Sequence, residues 1–275
     1  MTDFPEINPL WREVAEAAAR AAGRIAVDYR GQVETKSKGL RNIVTEADFL
    51  CQAEIKRQIG AAFPDHRFLA EETDDTPGGA GELCWVIDPI DGTTNYSYGL
   101  PVFCTSIALT YRDVPLAGVV YDPMRDEMYA AERGRGATLN GRPIRVSERT
   151  EMVDALVGLE WATDPPLRLE TVRRLDPLAT HCMTVRSPGA AALSLAYVAA
   201  GALDVYFNVK LSAWDVAAGC LLIEEAGGRV TNVRGGPWSI HGGNYLGTNG
   251  VFHERVLELW RSDEVTSASG GGSRG

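Results

Sequence analysis

Residues 85–95 read WVIDPIDGTTN, an apolar strand that delivers two aspartates three positions apart and then a Gly-Thr-Thr turn able to open a helix. Pro89 has no N–H for a sheet ladder, so the strand is expected to stop at Asp88 and the turn to bring Asp91 back beside it, where the two carboxylates share a cation. Gly92 lets backbone approach a ligand without a Cβ in the way, and the N–H groups of Gly92, Thr93 and Thr94 then form the positive end of a helix facing an anion. Hard oxygens and anion-seeking amides sit side by side, which is a site for metal and phosphate. An EF-hand loop counted from Asp88 needs oxygen-bearing side chains at its third, fifth and twelfth places, which hold Ile90, Gly92 and Gly99. A phosphoaspartyl enzyme of the DxDxT kind needs its aspartates two apart rather than three. A lone DPxDG would be an ordinary Asp-Pro turn, but the longer string is far more specific.

Extended to WVIDPIDGTTNYSYGLP (85–101), the stretch resembles the first signature of the inositol monophosphatase family, metal-dependent phosphatases of the wider fructose-bisphosphatase-like group. WDVAAGCLLIEEAGG (214–228) resembles the second signature, in the right order, and LAEET (69–73) and VTEADF (44–49) extend the likeness to roughly residues 8–262. The resemblance implies an α+β fold, the layered αβαβα sandwich of the inositol monophosphatase and fructose-bisphosphatase type, with the metal site between two lobes.

Composition agrees with such chemistry. A formal charge of −10 repels nucleic-acid backbones and anionic membranes, and it repels a phosphate substrate too unless bound cations reverse the local field. Five cysteines (51, 84, 104, 182, 220) are scattered, odd in number and without a CxxC pair, as expected of free thiols in a reducing compartment. The four histidines are isolated from one another, which argues against zinc. The N-terminus carries no leader pattern, and the most apolar segment, 191–203, is too short to span about 30 Å of hydrocarbon. A cytoplasmic, soluble protein is expected.

Asn8 before Pro9 is a helix start, and Leu10, Val14, Ala18, Ala21, Ile25 and Tyr29 follow at helical spacing over 9–30. Thr45 with Asp48 three later approximates a capping box for a second helix reaching Pro64. A short strand follows at 68–70, and 74–82 is a Gly- and Asp-rich loop. Segments 83–87, 102–111, 114–121 and 127–132 read as successive strands, and Asn140-Gly141 as a hairpin turn, giving an antiparallel sheet backed by two helices. From about 150 strands (154–160, 183–186, 204–208, 229–232, 244–247) interleave with helices (166–175, 190–201, 214–226, 251–261). The expected organisation is an N-terminal α+β lobe over 1–149 bearing most metal ligands, an α/β lobe over 150–262, and a disordered tail over 263–275.

Carried over by position, the resemblance implies metal ligation by Glu71, Asp88, Asp91, Asp215 and the backbone carbonyl of Ile90, with two or three Mg²⁺ ions. Oxygen ligands suit Mg²⁺. It implies phosphate binding by the amides of Gly92 and Thr93, and activation of the attacking water by the Thr93 hydroxyl with Glu71. Asp48 is a first-turn capping residue to which the family adds a role in polarising Thr93 or binding a further metal. Glu72 reads as a solvated neighbour, Trp214 as a packing residue, and Glu225 as part of a helix end. Two places depart from the family pattern. Gly189, Ala190 and Ala191 align with a substrate loop that often carries a hydroxyl residue where Ala190 stands, and Asn208 takes the place of a glutamate that contacts the sugar-alcohol. These changes leave hydrolysis intact and open the substrate.

The expected function is a Mg²⁺-dependent phosphomonoesterase acting on inositol 1-phosphate or a similar small polyol monophosphate by activated water. Histidinol phosphate, a 3′-phosphonucleotide or fructose bisphosphate are alternatives within the family. A catalytically silent dimeric interaction protein is the alternative of another class. The resemblance also implies a homodimer and lithium sensitivity.

Overall fold

A computed structural model describes residues 4–32, 34–76 and 82–269. Helix α1 (Pro9–Tyr29) starts as its sequence dictates, with the Asn8 side chain accepting the Leu10 N–H at 3.0 Å. A hairpin of β1 (Thr35–Gly39) and β2 (Asn42–Thr45) precedes α2 (Glu46–Ala62). The hairpin was not expected, because every residue of β1 is exposed and no apolar alternation marks it.

The first sheet is built from β3 (Arg67–Ala70), β4 (Thr73–Thr76), β5 (Leu83–Asp91), and, after the short α3 (Thr93–Ser97), β6 (Cys104–Tyr111), β7 (Val114–Asp122), β8 (Glu127–Glu132), β9 (Ala137–Leu139) and β10 (Arg142–Ile144). Its eight strands run in the order β10-β9-β8-β7-β6-β5-β3-β4. Every pair is antiparallel except β3 with β5: the four strands read as an antiparallel sheet pair that way, and the short strand beyond them, β3, lies parallel to β5. The connection from β3 to β5 makes the difference, since it returns the chain in the same direction. The core of the loop expected between them, 77–81, lies outside the described residues.

The second half contains β11 (Leu156–Leu159), α4 (Pro165–Ala179), β12 (Thr184–Arg186), α5 (Ala191–Ala199), β13 (Val205–Asn208), α6 (Ala213–Glu225), β14 (Arg229–Thr231), β15 (Tyr245–Thr248) and α7 (His253–Ser269). Its five strands are ordered β12-β11-β13-β15-β14, parallel over the first three and antiparallel beyond. Helix α7 runs through Ser269, so residues 263–269, given to a disordered tail by the sequence, are helical, while 270–275 lie outside the described residues. A helix already nucleated by packed Val256, Leu257 and Trp260 adds residues at little cost, which polar composition alone does not reveal.

Three apolar clusters pack five layers, the middle one reaching both sheets across α5 and α6. One lies between α1, α2 and the outer face of the large sheet, and includes Trp85, Ile87, Ile107 and Val119. The middle core joins the inner face of that sheet, at Val86, Ala108 and Val120, to α5 and α6. The third lies between the smaller sheet and α4 and α7. The order is αβαβα. Because α5 and α6 are covered on both sides, they are apolar all round, which explains why 191–203 looked like the most apolar segment of the chain. The small residues of the second signature thin α6: a Cβ placed on Gly118 of β7 would lie 2.9 Å from the Ala218 Cα. Among the described residues no helix is long and apolar enough to cross a membrane, and none of the five cysteines is in a disulfide.

Candidate active site

The aspartates of WVIDPIDGTTN meet by a route different from the one expected. Strand β5 does not stop at Asp88; it continues to Asp91 through a bulge, with Asp88 opposite Ser106 and Asp91 opposite Cys104. Two residues, Pro89 and Ile90, therefore face the single residue Thr105, whose hydroxyl donates to the Pro89 carbonyl at 3.0 Å. In a regular strand residues three apart point to opposite faces. The extra residue cancels that alternation, so both carboxylates emerge on one side, and a proline that cannot donate to the ladder is tolerated there.

Asp215 arrives from the other half of the chain as the third residue of α6, where its Oδ2 accepts the Ser212 N–H at 2.7 Å in a capping box. One carboxylate oxygen from each of Asp88, Asp91 and Asp215 lies within 4.8 Å of the others. Asp91 also accepts the N–H groups of Ala191 at 3.0 Å and Ala192 at 2.8 Å, tying β5 to the start of α5, and its Oδ2 takes the Cys104 thiol at 3.4 Å.

Glu71 follows the last residue of β3, with its N–H bonded to the Ile87 carbonyl at 3.2 Å. Lys38 of the unforeseen hairpin reaches its carboxylate at 3.2 Å and that of Glu72 at 2.7 Å. Glu72 is not the solvated neighbour its sequence suggested: its side chain is 1% exposed, and its N–H donates to the Gln52 side chain. Asp48 touches both the start of α2 and Thr93. Its Oδ2 accepts from the Thr45 N–H at 2.7 Å and hydroxyl at 2.6 Å, while Oδ1 takes the Thr93 hydroxyl at 3.4 Å. That hydroxyl also donates to the Ile90 carbonyl at 3.0 Å.

Electrostatics show that these carboxyls lack a counter-charge of matching strength. Burial, and then the charges of Glu71, Asp91 and Asp215, hold Asp88 well above the usual carboxylate range. Asp215 is displaced the same way by burial and by Asp91. Burial pushes Asp91 up to about 6 and Asp48 to about 6, and it pushes Glu71 to about 7 with Lys38 opposing. Buried carboxylates in mutual repulsion, offering oxygen only, form the donor set that hard divalent cations such as Mg²⁺ take. The residues present fit such ions.

Gly92 has φ +93°, and a Cβ on it would meet the carbonyl oxygens of Gly189 at 3.0 Å and Val102 at 3.1 Å and the Ala190 Cβ at 3.2 Å. The 187–192 loop thus packs directly on the Gly-Thr-Thr turn, and the Asn95 side chain fixes it further by donating to the Pro188 carbonyl at 2.8 Å. Gly189, Ala190 and Ala191 are where the sequence placed them, beside the acidic cluster. Asn208 differs. It is 1% exposed, its Nδ2 donates to the Glu160 carbonyl at 3.1 Å, and its Oδ1 accepts the Lys210 N–H at 2.6 Å. The amide expected to meet a substrate hydroxyl is engaged at both ends by backbone. Trp214 packs on the middle core as expected, and Glu225 accepts the N–H groups of Gly134 and Gly136, each at 2.8 Å.

Two residues of the region were missed by sequence reasoning. Lys38 lies in a segment without pattern. Glu160, directly after β11, accepts from Gly189 on the substrate loop and lies beside the Ser194 hydroxyl of α5. An acidic residue ending the apolar run LVGL, as Glu71 ends RFLA, was the available signal.

Known proteins show the same arrangement of chain. A model of the inositol monophosphatase family matches residues 9–264. Inositol monophosphatase 1 of Solanum lycopersicum is 38% identical over 263 residues, spanning 92% of this chain and 96% of that protein. Nus factor SuhB of Haemophilus influenzae is 37% identical over 243 residues, spanning 87% and 91%. Among solved structures, the extragenic suppressor protein suhB from Bartonella henselae matches with a TM-score of 0.89 at 34% identity, over 92% of this chain and 98% of that one. An inositol monophosphatase from Anabaena matches with a TM-score of 0.83 at 38% identity, over 92% and 96%. With the match running through both signatures and all five layers, the chain belongs to the inositol monophosphatase family of metal-dependent phosphatases.

Proposed function

We propose that this protein is a Mg²⁺-dependent phosphomonoesterase that hydrolyses inositol 1-phosphate or a similar small polyol monophosphate. The observation that carries the reading is the convergence of Asp88, Asp91 and Asp215 within 4.8 Å, from distant stretches of chain, beside the Gly92-Thr93 turn. Glu71, Asp88, the Ile90 carbonyl, Asp91 and Asp215 would hold two or three Mg²⁺ ions. Bound there, the ions supply charge stabilisation for the phosphate and its leaving oxygen and lower the pKa of water.

The chain's own groups do the rest. The amides of Gly92 and Thr93 receive phosphate oxygens, with no Cβ at 92 to hold them off. The Thr93 hydroxyl, fixed between the Ile90 carbonyl and Asp48, orients the attacking water, and Glu71 takes its proton. The water oxygen bonds to phosphorus, the ester P–O bond breaks, and the departing alkoxide takes up a proton. Gly189, Ala190, Ala191 and Asp215 border the polyol. Asn208 is buried with one N–H and one oxygen lone pair already bound to backbone, and Ala190 offers no hydroxyl, so fewer polar groups discriminate among polyols here.

The reading includes a cytoplasmic homodimer with a small phosphorylated metabolite as its partner and neither nucleic acid nor membrane, which a formal charge of −10 supports. A phosphate-release panel covering inositol phosphates, histidinol phosphate, 3′-phosphoadenosine compounds and fructose bisphosphate tests it. Release from inositol 1-phosphate that requires Mg²⁺ and stops with chelator is expected; turnover that survives metal stripping would refute the mechanism, and a preference for another substrate would reassign the specificity.

A further inference from the structure

Outside the acidic cluster, one carboxyl is engaged by the substrate loop and has no part in the chemistry above. Glu160 stands at the end of β11, and its Oε1 accepts the Gly189 N–H at 2.8 Å and lies 3.3 Å from the Ser194 hydroxyl, which donates to the Ala190 carbonyl at 2.7 Å. Its other oxygen takes the Ser187 hydroxyl at 3.4 Å, and its backbone carbonyl takes Asn208 Nδ2 at 3.1 Å. Four groups on three separate elements therefore converge on one residue. On the opposite side the same loop is held by Asp91, through Ala191 and Ala192, and by Asn95, through Pro188. Gly189 itself has φ +86°, and a Cβ there would sit 2.6 Å from the Asn95 amide, so the loop has no slack toward the N-terminal half.

We propose that Glu160 is a positioning residue for substrate: it holds the Gly189–Ala191 backbone packed against the Gly92-Thr93 turn and so fixes the edge of the site that borders the phosphorylated polyol. This rests on the phosphatase reading of the site. Of the carboxylates that anchor the loop, Asp91 also has metal-binding duty in the proposed mechanism, whereas Glu160 has none. The surroundings are partly closed to water. Burial pushes Glu160 up to about 8, and the Tyr206 hydroxyl nearby is buried without a hydrogen-bond partner among the described residues. Glu160 is only partly exposed, so water replaces its bonds to the loop incompletely when they are lost. What matters is the reach of an acceptor oxygen to Gly189 rather than negative charge, so glutamine serves and aspartate, one methylene shorter, does not.

The test compares the full-length protein with Glu160→Gln, Glu160→Asp and Glu160→Ala by steady-state kinetics on inositol 1-phosphate and by hydrogen exchange of the 187–192 amides. Glu160→Asp and Glu160→Ala are expected to raise KM about tenfold or more, with a smaller change in kcat, and to speed exchange of the Gly189 amide about tenfold or more. Glu160→Gln is expected to stay within about threefold of the parent in both. Should Glu160→Ala fail to fold, Glu160→Asp carries the comparison. Parent-like KM and exchange in Glu160→Asp, or a loss in Glu160→Gln as large as in Glu160→Asp, would overturn the proposal. If the parent releases no phosphate from any ester, the phosphatase reading fails and the exchange data alone decide whether Glu160 holds the loop.

Discussion

Replacing Asp88 by asparagine separates the cost of the acidic cluster from its use. Asparagine keeps the shape of the side chain and an oxygen able to accept the Ile90 N–H, which Asp88 now holds at 3.1 Å. It removes one of three charges whose oxygens lie within 4.8 Å of one another. At that separation and an effective dielectric constant near 20, each pair of full charges repels by about 3.5 kcal/mol. Partial protonation already relieves some of this, because burial and neighbours raise the pKa of Asp88, so the variant gains about 1–3 kcal/mol in chelator. Mg²⁺ acts in the opposite sense. At a hundred times its dissociation constant it stabilises the parent by about 2.7 kcal/mol, a rise in Tm of about 5–10 °C for a chain of this size. The variant, with a ligand missing, responds far less and loses roughly a hundredfold or more in kcat. Thermal unfolding of both proteins in chelator and across a Mg²⁺ titration reads each quantity. A variant no more stable than the parent without metal, yet equally stabilised by Mg²⁺, would show that Asp88 neither suffers the repulsion nor holds the ion.

Gly92→Ala forces a side chain into a left-handed backbone and against two carbonyl oxygens and the Ala190 Cβ, so it should cost about 2–5 kcal/mol in chemical unfolding and most of kcat/KM; a variant within about 0.5 kcal/mol of the parent would mean the turn is not as tight as described. Gly118→Val should destabilise by about 3 kcal/mol or more, since α6 has no room to retreat between two sheets, and unchanged stability would contradict the five-layer packing. His253 is fully buried between the hydroxyls of Thr231 and Thr248, at 2.9 and 3.0 Å, and burial lowers it to about 4. Because the unfolded chain takes up that proton near pH 6.5 and the folded one only near 4, stability falls as pH drops through this window, by on the order of 2 kcal/mol. His253→Gln should flatten that part of the pH–stability curve, and an unchanged slope would assign the acid sensitivity elsewhere.

Much of the fold was legible because its signals are local. Asn8-Pro9, the T-x-x-D box at Thr45, and the glycines after α6 mark helix ends by chemistry that acts within four residues. The box at Thr45 put Asp48 at the third position of a helix, so one site carboxylate was visible as a cap before it was visible as a site; the matching box of Ser212 and Asp215 emerged only in the structure. The bulge at Pro89-Ile90 was not legible. Proline announced a break in the ladder, but whether the strand ends or bulges depends on Thr105 across the sheet. Glu160 and Lys38 escaped, as did the backbone ties of Asn208, for a related reason: each owes its place to partners 20 to 50 residues away or in a hairpin without apolar pattern, and no periodicity records such contacts. Glu72 misled because a second glutamate after Glu71 looks solvated until Lys38 and Gln52 close over it.

Anomalous diffraction from crystals equilibrated with Mn²⁺ in place of Mg²⁺ tests the central claim most directly. Peaks within bonding range, about 2.0–2.6 Å, of oxygens from Asp88, Asp91 and Asp215, with Glu71 at the same cluster, are the predicted result. Ordered density for these four side chains at saturating Mn²⁺ with no peak among them, or a peak held by other residues, would contradict it.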